Sequence, residues 1–137
     1  MTDVVVDTSA LVAVATGEPA LAWALDALDG SERRFISAAS VVELSLVLTH
    51  RIGPTGPAVA RSIIHDGQID VVPLDARQAE LASRGFVRFG KGRHPAALNF
   101  GDCFVYGLAS DLRLPIVCLG DDFPRTDLET INPGDLS

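Results

Sequence analysis

The sequence has few cysteines and no long apolar run, and each scarcity excludes a class of protein. Its two cysteines, Cys103 and Cys118, form no CxxC motif and have no histidine pair nearby, so neither a disulfide framework nor a zinc site is expected. Their apolar surroundings predict buried, reduced thiols. No apolar run approaches the roughly 18 residues that span a bilayer. The N-terminal residues also lack the basic region of a signal peptide, so we expect a cytoplasmic protein without a membrane segment.

The residues that are present fit one globular domain. A chain of 137 residues is long enough to bury roughly two-thirds of its unfolded surface. Its composition, 47% hydrophobic and 21% charged, is typical of a packed globule and not of a disordered chain. We therefore predict a single domain over residues 1–137.

Positive charge is scarce in the whole chain but concentrated in one segment. The net charge of −7 disfavours a general nucleic-acid coat, because phosphate binding needs local positive charge. Between Glu80 and Asp102, however, there is no acidic residue. The basic residues of this segment are Arg84, Arg88, Lys91, Arg93 and His94. The first three have the spacing of one helical face. They form either a solvated helix end favoured by the helix dipole or a phosphate-contacting rim beside an acidic pocket.

Short β-branched runs alternate with segments of helical periodicity along the chain. The predicted strands cover residues 3–7, 35–36, 69–73 and 116–119, with a short last one at 129–132. The predicted helices cover residues 8–15, 38–51, 55–65 and 102–112, with others beginning at 17–19 and at 75. This alternation predicts βαβ units around a mostly parallel central sheet. The expected fold is therefore a three-layer α/β/α sandwich.

Four carboxylates stand where a predicted strand or helix begins or ends. They are Asp7, Glu43, Asp102 and Asp122. Acids at the carboxyl ends of parallel strands converge on one crevice. Two like charges about 4 Å apart repel by about 4 kcal/mol at an effective dielectric near 20. Such a cluster is therefore protonated, paired with a basic side chain, or built to hold a divalent cation.

Three of these acids also have a purely structural interpretation. Asp7 suits an Asx turn or a helix cap between a strand and a helix. Ser40 and Glu43 have the spacing of a capping box, although a helix that already includes residues 38–39 would put Glu43 in its second turn. A buried acid there needs a partner. Asp102 suits a simple cap at a helix start. The four acids in this order favour a shared site.

Four motifs together resemble the PIN-domain ribonucleases. The motifs are VVVDTSAL at residues 4–11, SVVE at 40–43, LNFGDC at 98–103 and LGDDF at 119–123. Over essentially the whole chain, including residues 89–94, the sequence more closely resembles the VapC toxins of bacterial VapBC toxin–antitoxin pairs, including mycobacterial ones. The resemblance implies a PIN-like fold and a metal-dependent endoribonuclease.

The resemblance also implies roles for individual residues. Asp7 and Asp102 would be direct Mg²⁺ ligands, and Glu43 would complete or orient the site. Thr8 or Ser9 would hydrogen-bond a metal ligand or the scissile phosphate.

The fourth acid follows the family pattern less closely. Many relatives carry an aspartate two residues before the Asp-Phe pair, where this chain has Gly120. Asp122 is therefore the preferred fourth member of the site, and Asp121 is the alternative.

The implied reaction is hydrolysis of RNA. Clustered carboxylates hold one or two Mg²⁺ or Mn²⁺ ions, and a bound water with a lowered pKa attacks the phosphorus in line. Structured RNA, tRNA or rRNA, would be the substrate, a VapB-like antitoxin the inhibitor, and a homodimer the assembly. The phosphate-anchoring residues would be Arg88, Lys91, Arg93 and His94, which position the strand without specifying its sequence.

Other functions stay open to different degrees. An aspartyl-phosphate phosphatase needs DxDx(T/V), but Thr8 and Ser9 follow Asp7, so the second aspartate is missing. His94 as a general acid is disfavoured, because a lone loop histidine is more often a surface contact. A degenerate PIN scaffold that binds RNA or a partner without cutting is compatible with Gly120, although the retained acids favour an enzyme.

Overall fold

The computed structural model describes residues 2–133 and contains one sheet with helices on both faces. The strands are β1 (Val4–Val6), β2 (Arg34–Ser37), β3 (Ile69–Val72), β4 (Ile116–Val117) and β5 (Thr130–Ile131). The helices are α1 (Thr8–Thr16), α2 (Leu21–Asp29), α3 (Ala38–Ile52), α4 (Gly56–Asp66), α5 (Ala76–Phe89) and α6 (Phe100–Leu112), with a short 3₁₀ helix at Phe123–Arg125.

The sheet has the order β3-β2-β1-β4-β5, and each neighbouring pair is parallel. Every predicted strand is present, and the prediction of a mostly parallel sheet is confirmed. Strand β1 lies at the centre, where Val5 pairs with Phe35 on one side and Ile116 on the other. The carboxyl ends of β1 and β4 therefore lie side by side at one edge of the sheet.

The side chains of β1 divide the core into two layers. Val4 and Val6 pack with buried residues of α1 to α4, whereas Val5 packs with buried residues of α5 and α6. Successive residues of a strand point to opposite faces of its sheet, so three consecutive valines contact both helical layers. This arrangement confirms the three-layer α/β/α prediction.

Two helix boundaries differ from the predicted ones by two residues or more, and the others differ by at most one. Helix α2 begins at Leu21, because residues 18–20 form a turn in which the Leu21 amide donates to the Glu18 carbonyl at 2.8 Å. Helix α6 begins at Phe100, two residues earlier than predicted, because Asn99 caps it.

Both cysteines are buried and reduced, as predicted. Burial raises the pKa of the Cys103 thiol to about 11 and that of the Cys118 thiol to about 12. Neither thiol is therefore a nucleophile at neutral pH. Among residues 2–133, no helix has the length and apolarity needed to cross a membrane.

Candidate functional site

The four predicted acids line one pocket at the carboxyl ends of β1 and β4. The pocket has a volume of about 280 Å³. Its polar side chains are Asp7, Thr8, Ser9, Glu43, Arg51, Asn99, Asp102 and Asp122. The N-terminal residues of α1 and α6 and one side of α3 meet here, so segments far apart in sequence contribute to one site.

Asp7 both caps α1 and faces the pocket. Its Oδ2 accepts hydrogen bonds from the Ser9 amide, at 3.1 Å, and from the Ser9 hydroxyl. Ser9 Oγ in turn accepts from the Leu119 amide at 3.0 Å, which ties the start of α1 to the segment after β4. Burial, reinforced by the charge of Glu43, raises the pKa of the Asp7 carboxyl to about 6. The cap interpretation is thus correct, but it does not remove Asp7 from the acidic cluster.

Glu43 is held by a hydroxyl from the first turn of α1. The helix that carries it is capped by Ser37, whose Oγ accepts from the Ala39 amide at 3.2 Å. The proposed capping box of Ser40 and Glu43 is therefore wrong, and Glu43 lies in the second turn of α3. Thr8 Oγ1 donates to Glu43 Oε1 at 2.9 Å, so this half-buried acid has a hydrogen-bond partner.

Gly101 gives Glu43 the room to reach the pocket. A methyl group at this position would overlap the Glu43 carboxylate. The sequence signal for this contact is the glycine directly before Asp102, which does not by itself indicate a steric requirement. A side chain at residue 101 would displace Glu43 or the start of α6.

Asp102 lies in the capping box of α6 and in the field of the other acids. The Asp102 amide donates to Asn99 Oδ1 at 2.9 Å, and the Asn99 amide donates to Asp102 Oδ2 at 3.0 Å. The pKa of Asp102 is raised to about 7, first by burial and then by the charges of Asp7, Asp122 and Glu43. The cap interpretation is again correct, and the shared electrostatic field shows that all four acids interact.

The side chains of Asp121 and Asp122 lie in different surroundings although the two residues are adjacent. Asp122 lines the pocket, whereas the Asp121 side chain is 82% exposed and lies 3.9 Å from Arg125, outside the pocket. Gly120 has a φ of 81° in the left-handed region, with open space around the position of a Cβ. An aspartate at residue 120 would therefore meet an unfavourable backbone conformation and no steric clash.

The donor set of the pocket fits a hard divalent cation. Its ligand atoms are carboxylate and hydroxyl oxygens, which Mg²⁺ and Mn²⁺ prefer. Burial and the neighbouring acids raise the pKa values of Asp7 and Asp102, and no basic side chain is among the main influences on either carboxyl. Among residues 2–133, however, no three acidic, histidine or cysteine side chains are arranged as a ready-made ligand group.

The predicted RNA-contacting residues lie outside this pocket. Arg88 pairs with Asp127 at 3.3 Å, and Arg93 Nε donates to the Val87 carbonyl at 3.1 Å. His94 Nδ1 accepts from the Ala96 amide at 3.0 Å. The prediction that Lys91 shares a helical face with Arg84 and Arg88 is wrong, because α5 ends at Phe89.

Sequence reasoning missed one basic residue that does line the pocket. Arg51 follows Glu43 and Val47 at four-residue intervals on α3, and all three side chains contribute to the pocket wall. The spacing itself was a usable signal, because residues four apart on a helix are neighbours on its surface.

Comparisons with known proteins agree with this architecture. A protein-family model described as PIN domain matches residues 4–129. The chain is 42% identical over 126 residues to Ribonuclease VapC36 of Mycobacterium tuberculosis, covering 91% of each. It is 40% identical over 127 residues to Ribonuclease VapC30 of the same species, covering 93% of this chain and 97% of the relative.

Solved structures show the same fold at lower identity. The crystal structure of Mycobacterium tuberculosis VapC20, described as a sarcin-ricin loop cleaving toxin, aligns with a TM-score of 0.76 and 20% identity over 95% of this chain and 99% of that one. The DNA-bound VapBC2 structure from Rickettsia felis aligns with a TM-score of 0.74 and 13% identity, over 95% and 98% of the two chains.

Proposed function

This chain belongs to the PIN-domain family, among the VapC ribonucleases, and we propose that it is a metal-dependent endoribonuclease toxin neutralised by a VapB-like antitoxin. The observation that carries the proposal is the single pocket that Asp7, Glu43, Asp102 and Asp122 all line. We further propose that residues 1–137 form a single PIN domain.

Mg²⁺, with Mn²⁺ as a substitute, is the proposed cofactor. Asp7 and Asp102 would ligate it directly, Glu43 would complete or orient the site, and Asp122 would be the fourth acid. Bound there, the ion would supply Lewis-acid chemistry for hydrolysis of a phosphodiester. The all-oxygen donor set and the raised pKa values of Asp7 and Asp102 support this assignment.

The residues of this chain prepare the carboxylates for that task. Ser9 fixes one oxygen of Asp7, and Thr8 fixes one oxygen of Glu43, so both acids have restricted orientations. Asp102, with a pKa of about 7, must release its proton before it can act as a ligand. The four acids are not arranged as a ready-made ligand group among the described residues, so the cation would bind through one or two carboxylates and retained waters, as Mg²⁺ commonly does.

The proposed substrate is structured RNA, either tRNA or rRNA. A neighbour in structure is described as a sarcin-ricin loop cleaving toxin, and the curated relatives are named ribonucleases, which supports RNA as the substrate. Arg88, Lys91, Arg93 and His94 remain proposed contacts to phosphates outside the pocket. None of the four lines the pocket, so they would position flanking parts of the strand.

An antitoxin and a second copy of the chain are the proposed protein partners. Several neighbours in structure are VapBC complexes, such as the DNA-bound complexes of Rickettsia felis and Salmonella typhimurium. A basic antitoxin side chain that enters the pocket would pair with the four acids and exclude the cation. Light scattering of the isolated chain, and of the chain with its antitoxin, tests both assemblies.

The decisive experiment is RNA cleavage by the purified chain, freed of any bound antitoxin. Total tRNA and rRNA are incubated with the wild type in Mg²⁺ or Mn²⁺ and in EDTA, beside Asp7→Asn and the control Asp75→Asn. Asp75 is matched because it also caps a helix, α5, but lies outside the pocket.

We expect cleavage that EDTA abolishes, that Asp7→Asn loses and that Asp75→Asn retains. RNA binding without cleavage would instead favour the non-catalytic scaffold. The specific argument for that alternative is Gly120, which stands where many relatives carry an aspartate. Cleavage that persists in EDTA would contradict the metal-dependent mechanism alone.

A further inference from the structure

Arg51 is the basic side chain in the wall of the acidic pocket. It lies in the last turn of α3, two helical turns after Glu43, which places it about 12 Å along the helix axis from that acid. Its side chain is 48% exposed. Arg51 therefore contributes to the pocket wall while about half of its side chain stays accessible to solvent.

Glu18 holds the Arg51 guanidinium at this position. Arg51 Nη1 donates to Glu18 Oε1 at 2.8 Å, and Thr16 Oγ1 donates to the same oxygen at 3.2 Å. Glu18 follows directly on the end of α1, where its amide donates to the Ala13 carbonyl at 3.3 Å. The anchor of the guanidinium therefore lies just after the C-terminus of α1, the helix that Asp7 caps at its N-terminus.

This contact leaves most of the guanidinium available. The group carries five N–H donors in a planar fork, and the bond to Glu18 uses one of its nitrogens. No basic side chain is among the main influences on Asp7 and Asp102, so the guanidinium does not neutralise them. Its remaining donors suit a phosphate, which arginine binds through two parallel hydrogen bonds.

We propose that Arg51 binds a phosphate of the RNA that flanks the cleaved one, and that Glu18 positions its guanidinium for this contact. The inference rests on the proposed ribonuclease function. It assigns to the pocket the positive charge that a polyanionic strand needs when it approaches four carboxylates. It also gives a basic contact inside the pocket, where Arg88, Lys91, Arg93 and His94 are absent.

A purely structural role is the competing explanation. The Arg51–Glu18 pair links the turn after α1 to the end of α3, and a cation in the last turn of a helix is favoured by the dipole. If the pair only joins these segments, loss of either partner has the same consequence. If Arg51 binds phosphate, loss of Arg51 affects RNA binding far more than loss of Glu18.

The test measures the salt dependence of RNA binding. In the Asp7→Asn background, anisotropy of end-labelled total tRNA is recorded over a range of KCl concentrations, with added Arg51→Ala, Arg51→Lys, Glu18→Gln or Arg61→Ala. Arg61 is the matched control, because it is an exposed arginine on α4 that does not line the pocket. Cleavage by the wild type, with and without Arg51→Ala, is measured in parallel.

We expect Arg51→Ala to reduce the slope of log affinity against log salt by about 0.7–0.9, the value of one phosphate contact. For each tenfold decrease in salt below 1 M, the affinity of the Arg51→Ala variant would fall behind that of its parent by a further factor of roughly five to eight. Arg51→Lys keeps the charge and the slope, and Arg61→Ala keeps the slope. Glu18→Gln also keeps the slope, because Arg51 keeps its charge, but it lowers the affinity at every salt concentration, because the guanidinium loses its charged anchor. Urea unfolding shows whether each variant is folded. If Arg51→Ala is not, Arg51→Gln replaces it, because it also removes the charge and is expected to lower the slope by the same amount.

Three results would overturn the assignment. The first is an unchanged slope for Arg51→Ala. The second and third are a decrease in slope for Arg61→Ala, or for Glu18→Gln, as large as that for Arg51→Ala. If the wild type cleaves RNA and the slope does not depend on Arg51, this inference fails and the proposed function stands. If the slope depends on Arg51 but the wild type never cleaves, the proposed function fails and Arg51 remains an RNA contact.

Discussion

Replacing Asp7 by asparagine is expected to stabilise the cation-free protein against unfolding while it removes activity. The Asp7 side chain is buried, with 5% of the residue exposed, and burial is the main cause that raises its pKa from 3.8 to about 6. The ionised carboxylate therefore destabilises the folded state. Asparagine carries no charge and is as good an N-cap residue as aspartate, so it keeps the start of α1.

The pKa shift sets an upper limit on this gain and determines its pH dependence. A carboxyl whose pKa is raised on folding binds more protons in the folded state, so its penalty appears as pH rises above the unfolded pKa. A shift from 3.8 to about 6 corresponds to about 3 kcal/mol above pH 7 and about 1 kcal/mol near pH 4.5. The weaker hydrogen bonds of Ser9 to a neutral amide offset part of this. We expect a net gain of about 1–2 kcal/mol at pH 7.5 and little or none at pH 4.5.

The assay is urea unfolding in EDTA at both pH values, with circular dichroism as the signal that monitors the transition. Asp75→Asn is the control, because Asp75 caps α5 by accepting from the Gln78 amide at 2.9 Å and lies outside the pocket. Its free energy of unfolding should change by less than about 0.5 kcal/mol at either pH. The reasoning is refuted if Asp7→Asn is no more stable than the wild type at pH 7.5, or if its gain is as large at pH 4.5.

Three further outcomes test separate parts of the site. Mg²⁺ should raise the melting temperature of the wild type by about 3 °C or more at pH 7.5 but less at pH 5.5, because protons compete for the carboxylates; calorimetry should show no such rise for Asp7→Asn. Gly101→Ala should lower the free energy of unfolding by about 1–3 kcal/mol and cleavage at least tenfold, because its methyl group displaces Glu43; a fully active, stable variant would contradict the steric argument. Asp122→Asn should reduce cleavage at least tenfold and Asp121→Asn less than twofold, and equal losses in a cleavage assay would show that pocket position does not decide the fourth acid.

The layers and the acidic pocket could be predicted because they depend on local patterns and on general rules of sheet topology. Three consecutive valines before Asp7 predict a short buried strand, and parallel strands bring their carboxyl ends to one edge. Asp7, Glu43, Asp102 and Asp122 line one pocket on that edge. The roles of the four as metal ligands remain predictions that the experiments above address.

Side-chain partners across long sequence separations could not be predicted in the same way. Arg88 pairs with Asp127, which is 39 positions away, so its direction depends on the path of the segment after β4. Lys91 was assigned to a helical face by spacing alone, but Gly90 ends the helix before it. Arg51 has a clear spacing from Glu43, yet its position at the pocket becomes evident only once α3 is packed beside α1.

The structural and functional interpretations of Asp7 and Asp102 are compatible, because both helix N-termini face the same pocket. Each N-terminus carries a partial positive charge of about half an elementary charge, and Asp7 and Asp102 bring their carboxylates to those ends. Two helix ends thus offset about one of the four negative charges. The remaining excess agrees with the raised pKa of both aspartates. Capping alone therefore does not explain why Glu43 and Asp122 join them, whereas a divalent cation would balance about two of the roughly three negative charges that the helix ends leave.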